Sequence, residues 1–138
     1  WEDLAPAQRG SEGWVRTELW RGSMARYVRV LGETRATEYG FSIWDLRVRP
    51  AHDADLALGR PASASSEKNA ERAAASAVDG RQETRWSSLY EDDQWLSVDL
   101  GAAFALSRVE VRWEKACARR YLLQGSLDGS RWETLASE

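Results

Sequence analysis

Apolar residues in this chain recur at every second position and hardly ever at helical spacing. Val109, Val111 and Trp113 alternate with Arg108, Glu110 and Arg112, which describes a strand with one face in a core and the other in water. Residues 15–19, 27–30, 44–48 and 95–100 keep the same rhythm. The dipeptides Asp79-Gly80, Leu100-Gly101 and Asp128-Gly129 punctuate them as turn signals, since glycine enters left-handed backbone without steric cost. Residues 69–75 are Ala-rich and predict one short helical turn, and nothing longer is helical. Short strands at this spacing predict an all-β fold, an antiparallel sandwich or barrel.

A chain of 138 residues is long enough to bury one core. Eight tryptophans and 43% hydrophobic residues exclude a disordered chain. The net charge of −3 comes from 19 basic residues interleaved with 22 acidic ones, so no basic block marks a nucleic-acid partner. No run approaches the roughly 18 apolar residues of a membrane span. Cys117 is the sole cysteine, which leaves neither an intrachain disulfide nor a cysteine-based metal site. Lys68 and Lys115 are the only lysines among otherwise arginine basic residues, a usage that points to a GC-rich bacterial source.

The chemistry of an enzyme is missing. A nucleophile needs a base beside it, and neither Cys117 nor His52, the one histidine, has an evident partner. No H-E-x-x-H, phosphate-binding glycine loop or dinucleotide fingerprint occurs. Glu67 and Glu114 are the only carboxylate pair that invites a glycosidase reading, and a binding role is expected of them instead.

The tetrapeptide Trp1-Glu2-Asp3-Leu4 returns as Trp132-Glu133-Thr134-Leu135, as if the chain held one full period and a short overlap. Leu56-Ala57-Leu58-Gly59-Arg60-Pro61-Ala62-Ser63-Ala64-Ser65-Ser66, Ala77-Val78-Asp79-Gly80, Thr84-Arg85-Trp86-Ser87-Ser88 and Gln94-Trp95-Leu96-Ser97-Val98-Asp99-Leu100-Gly101 follow in order. Tyr121-Leu122-Leu123-Gln124-Gly125-Ser126 and Asp128-Gly129-Ser130-Arg131-Trp132 complete the run. Residues 51–138 thereby resemble the first two-thirds of a discoidin, or coagulation factor 5/8 type C, domain. Ala25-Arg26-Tyr27-Val28-Arg29-Val30 and the stretch from Arg35 to Asp45 give residues 1–50 the look of the same family's last third.

The resemblance implies a galactose-binding-domain-like jelly roll over residues 1–138, in circularly permuted order or cut across two tandem copies. Near-neighbour termini tolerate permutation, so a compact monomer is expected, with a strand-exchanged dimer as the alternative. The resemblance also implies a structural Ca²⁺, since hard cations take roughly six to eight oxygens from carbonyls and a few carboxylates. The ligands carried over are Ser76, Asp79, Arg81, Thr84, Trp44 and Asp45, where Asp45 replaces the family's usual Glu.

The ligand face resembles that of discoidin modules attached to chitosanases and other bacterial glycan hydrolases. It implies a sugar pocket lined by Glu67, Arg85, Tyr90, Glu114 and Tyr39. Sugars want an aromatic surface under the ring and planar polar groups at its hydroxyls. The glutamates would accept from hydroxyls or pair with the amine of glucosamine. Arg85 reads equally as a sugar donor or as a structural ion-pair partner, while Trp44, Trp86, Trp95 and Trp113 read as core. Galactose binders of this kind use a histidine, whereas His52 falls in the linker and should be exposed. The expected function is therefore a secreted, non-catalytic module that brings a parent glycan-degrading enzyme to an oligo- or polysaccharide such as chitosan or β-glucan. The alternatives are a lipid- or protein-adhesion module, which the acidic Glu91-Asp92-Asp93 loop disfavours, and a structural spacer.

Overall fold

Each alternating segment falls on a strand of the computed structural model, which describes residues 2–129. The strands are β1 (Glu2–Asp3), β2 (Gly13–Glu18), β3 (Met24–Arg35), β4 (Ser42–Arg49), β5 (Ala62–Ala64), β6 (Trp86–Ser87), β7 (Gln94–Ala105), β8 (Arg108–Trp113) and β9 (Ala118–Ser126). They form two antiparallel sheets, ordered β1-β9-β3-β7-β5 and β2-β8-β4-β6. Val28, Val30, Leu96 and Val98 of one sheet pack with Leu46, Val48, Val109 and Val111 of the other in a single core, so the fold is an all-β sandwich. The repeat beginning at Trp132 lies outside the described residues, as does Trp1.

The first 50 residues give each sheet one edge strand, β1 or β2, and one interior strand, β3 or β4. β3 is flanked by β9 and β7, and β4 by β8 and β6. Val28 pairs with Val98 on one side and Gly125 on the other. Ile43 pairs with Trp86 and Trp113. Both sheets are thus completed by strands of one chain.

Three local expectations change. Leu100-Gly101 does not end a strand; β7 runs through it, and the register against β3 jumps from Tyr27↔Asp99 to Ala25↔Phe104. The extra residues bulge outward, with Gly101 at φ 87°. Asp99 holds the bulge by accepting from Gly101 N at 2.9 Å and from the Arg26 guanidinium at 2.9 and 3.1 Å. The helical turn becomes two short 3₁₀ segments, Ala70–Arg72 and Ala74–Ala77, the first capped by Asn69. Trp86 and Trp113 are core residues, but Trp44 and Trp95 are only half-buried.

Glu110 of β8 breaks the alternation, being 3% exposed where a solvated side chain was expected. Its carboxylate meets Arg49 at 2.7 Å, with Arg16 and Arg108 each at 3.1 Å. Burial pushes its pKa up, but hydrogen bonding from Arg49 and the charges of Arg49 and Arg108 outweigh that and hold it below the ordinary value.

Candidate functional site

Four loops converge on a cleft of about 380 Å³ lined by Thr37, Tyr39, Lys68, Arg85, Tyr90, Glu114 and Lys115 over a floor that includes Phe41, Ser42, Ser87 and Ser88. The β3–β4 loop and the β6–β7 loop are stitched together at Ser88. Its hydroxyl accepts from Phe41 N at 2.8 Å, and its own N–H donates to Phe41 O at 2.8 Å. Gly40 is required at this seam, because any side chain there would overlap the Leu89 carbonyl and the Ser88 hydroxyl. Arg35 ties the same two loops from outside. It donates to Asp92 at 2.8 Å, to Tyr90 O at 2.9 Å and to Glu38 O at 3.3 Å. The Arg35 guanidinium holds the Asp92 carboxyl below the usual carboxylate range.

Tyr39 and Tyr90 stand at the mouth, 51% and 47% exposed. Their rings meet edge to face at 5.5 Å, a geometry that fixes two aromatic walls at right angles. Lys68 Nζ lies 5.4 Å from the Tyr90 ring centre. Arg85 stacks on Trp44 at 5.0 Å and reaches Ser87 Oγ at 3.4 Å. Among the described residues it belongs to no ion pair; it is a guanidinium held on an aromatic face with donors left over. Glu114 is half-buried, and one of its oxygens accepts from Ala116 N at 2.8 Å.

Four of the five residues named from sequence share this cleft: Tyr39, Arg85, Tyr90 and Glu114. Glu67 is not part of its lining; its carboxylate accepts from Ala74 N at 2.7 Å and so closes the entry to the second 3₁₀ segment. Lys68 and Lys115 were not singled out as ligand residues, yet both line the cleft. Their rarity was a usable signal, since the chain has no other lysine. His52 is exposed in the linker, and Cys117 is buried, its thiol pKa pushed up by that burial. Neither is a nucleophile in waiting.

Of the residues named for a cation, Ser76, Asp79 and Arg81 gather around Thr84. Its hydroxyl donates to the Asp79 carboxylate at 2.7 and 2.9 Å. It also lies 3.2 Å from Ser76 O and 3.5 Å from Arg81 O. β4 packs against the 3₁₀ segment that carries Ser76. On that strand the Asp45 side chain is 15% exposed and paired with Arg47 at 3.1 Å. Burial raises the Asp45 pKa above its ordinary value despite Arg47. Among the described residues no three His, Cys, Asp or Glu side chains cluster, so the donors here are oxygens, mostly carbonyl and hydroxyl. Oxygen donors of this sort are the kind a hard cation takes.

The family model of the F5/8 type C domain matches residues 61–138. That is more than half of the chain, and it belongs to this family of discoidin domains, which are non-catalytic binding modules of extracellular and secreted protein types. No curated protein and no solved structure matches the chain.

Proposed function

We propose that the cleft binds a sugar unit of a polysaccharide, and that the chain is a carbohydrate-binding module holding a parent glycan-degrading enzyme to its substrate outside the cell. The observation that carries this reading is the convergence of Tyr39, Arg85, Tyr90 and Glu114 on one cleft. Two aromatic walls offer apolar surface to a ring, while a guanidinium and a carboxylate offer donors and acceptors to its hydroxyls. The volume is at the lower end for small-molecule pockets, which run from about 300 Å³ upward. Affinity for a single unit is then weak, and strong attachment comes from several modules acting together.

Titration with oligosaccharides tests the reading. Tyr39→Ala and Glu114→Ala are each expected to weaken binding by about three- to tenfold, the worth of one wall or one charged hydrogen bond. Tm should stay within a few degrees, because both positions are solvated on one side. Wild-type affinity in both variants would place the ligand on another face.

Ca²⁺ is the proposed structural cation, held by Asp79, Thr84, Ser76 O and Arg81 O, with Asp45 and Trp44 O from β4. It would neutralise the Asp79 carboxylate and pin the 79–84 turn to the second sheet. At saturating Ca²⁺ the stabilisation is about 3 kcal/mol, so chelation should lower Tm by about 5–10 °C. Re-addition of Ca²⁺ should restore it, and Asp79→Ala should abolish the response. A Tm indifferent to chelator removes the cation from the reading.

A second reading has one observation in its favour. Leu89, 48% exposed, directly precedes Tyr90 of the cleft wall, and an exposed apolar tip near a basic cleft is chemistry that engages an anionic lipid surface. The exposed Glu91 and Asp93 oppose it. Binding of phosphatidylserine vesicles at physiological salt, lost in Leu89→Ser and unaccompanied by glycan binding, would favour adhesion.

A further inference from the structure

Resting on the glycan reading of the cleft, we propose that the sugar it selects is anionic: a unit bearing a carboxylate or a sulfate, and not a neutral or an amino sugar. The lining carries three cations, Lys68, Arg85 and Lys115, against one carboxylate, Glu114. None of the three cations belongs to an ion pair among the described residues. Glu114 is partly spent on Ala116 N. Glu67, the second acid an amino sugar would want, faces Ala74 N instead. The cleft is thus locally positive in a chain of net charge −3, and an ammonium entering it would meet three like charges for one counter-charge.

The identity of the cations adds to this. The chain uses arginine at every basic position except two, and both exceptions line this cleft. Lysine is a compact charge on a flexible stem that can follow an anion as a ring settles, whereas arginine demands a fixed fork. Both ammonium groups belong to exposed residues, and Lys68 leans over Tyr90, so the positive charge lies beside an aromatic wall. A ring with its apolar face on Tyr39 or Tyr90 would carry an equatorial carboxylate or a sulfate toward them. A charge-assisted bond of this kind is stronger than a neutral one.

The test is calorimetric titration of the whole chain with four oligosaccharides of matched length: oligogalacturonate, a sulfated galactan fragment, a cello-oligosaccharide and a chitosan oligosaccharide. The expected result is at least about tenfold tighter binding of an acidic ligand than of the cello-oligosaccharide at low salt. That preference should shrink as NaCl is raised. The first two arms decide between carboxylate and sulfate. Lys68→Gln and Lys115→Gln should each narrow the acidic-to-neutral ratio. Arg119→Gln, the same charge change on an exposed residue of a separate groove, should leave it intact. Equal affinity for acidic and neutral ligands, tightest binding of chitosan, or an equal effect of Arg119→Gln overturns the charge proposal while the glycan reading stands. Absence of binding in all four arms overturns both.

Discussion

Trp86→Ala is expected to remove about 3–5 kcal/mol of stability, the usual cost of emptying a buried tryptophan site. Trp86 is 1% exposed and pairs with Ile43 across the boundary between β6 and β4. Its indole N–H donates to Ser66 O at 2.9 Å, so truncation also leaves a carbonyl unpaired. The backbone cannot easily collapse into the hole, because Ser42 holds it in place: its hydroxyl donates to the Trp86 carbonyl at 2.9 Å and lies 2.7 Å from Ser87 Oγ. A domain of this size has about 5–15 kcal/mol in total, so the variant sits near its unfolding midpoint under mild denaturant. Urea titration should show a lower midpoint at unchanged slope. Trp86→Phe, which keeps most of the volume and loses the hydrogen bond, should cost about 1–2 kcal/mol. A loss below about 1 kcal/mol for alanine would mean that the sheets close around the smaller residue. Since Arg85 and Ser87 flank this position and line the cleft, glycan affinity should fall with it even in the folded fraction.

Glu110→Ala is the second large effect, at about 3 kcal/mol. Removing one partner of a buried ion pair leaves uncompensated charge, at about 3–5 kcal/mol. Here Arg49, its side chain 13% exposed, keeps only the exposed Asp53 at 3.2 Å, while Arg16 and Arg108 reach solvent at 63% and 34% and recover hydration. The lower end of that range therefore applies. The same carboxylate shapes the acid limb of stability. Its folded pKa is depressed below the ordinary 4.5, so its contribution is complete above that pH. The contribution is lost as pH falls through the lower folded value. Asp99 beside Arg26 and Asp92 beside Arg35 are depressed in the same direction. Acid unfolding of Glu110→Gln should accordingly be shallower than wild type below about pH 4.5, not flat. An identical acid limb in the variant would show that Glu110 titrates alike in the folded and unfolded chain, and that its pairing adds no pH-dependent stability.

These positions also mark how much the sequence alone could say. The long strands were legible because one face of each is apolar, and the period of two survives in any register. Glu110 was misread as solvated because three arginines from β2, β4 and β8 can make a buried carboxylate tolerable, and only pairing brings them together. The Leu100-Gly101 bulge looked like a turn because glycine and left-handed backbone serve both. Tyr39, Arg85, Tyr90 and Glu114 came from family resemblance, and the loops that carry them converge on one cleft. Resemblance transfers side-chain direction poorly: Glu67 has the family's residue type, but the unpaired Ala74 N–H nearby claims its carboxylate. The two lysines were visible as a rarity of composition, and only the convergence of loops gave that rarity a place.

The insertion of β3 between β7 and β9 also sets the order in which this molecule can be made. During synthesis the strand that will lie at the centre of the larger sheet emerges before either of its neighbours. Val28 must wait for Val98, and then for Gly125, with both of its backbone edges open. Pairings so distant along the chain delay folding and lengthen exposure of an apolar strand. Arg26 and Arg29, three residues apart on the waiting strand, put charge where another chain would otherwise add on. Yield in the cell should therefore depend on how fast the last strands arrive, and slowed translation between β4 and β7 should cost more folded protein than the same delay after β9.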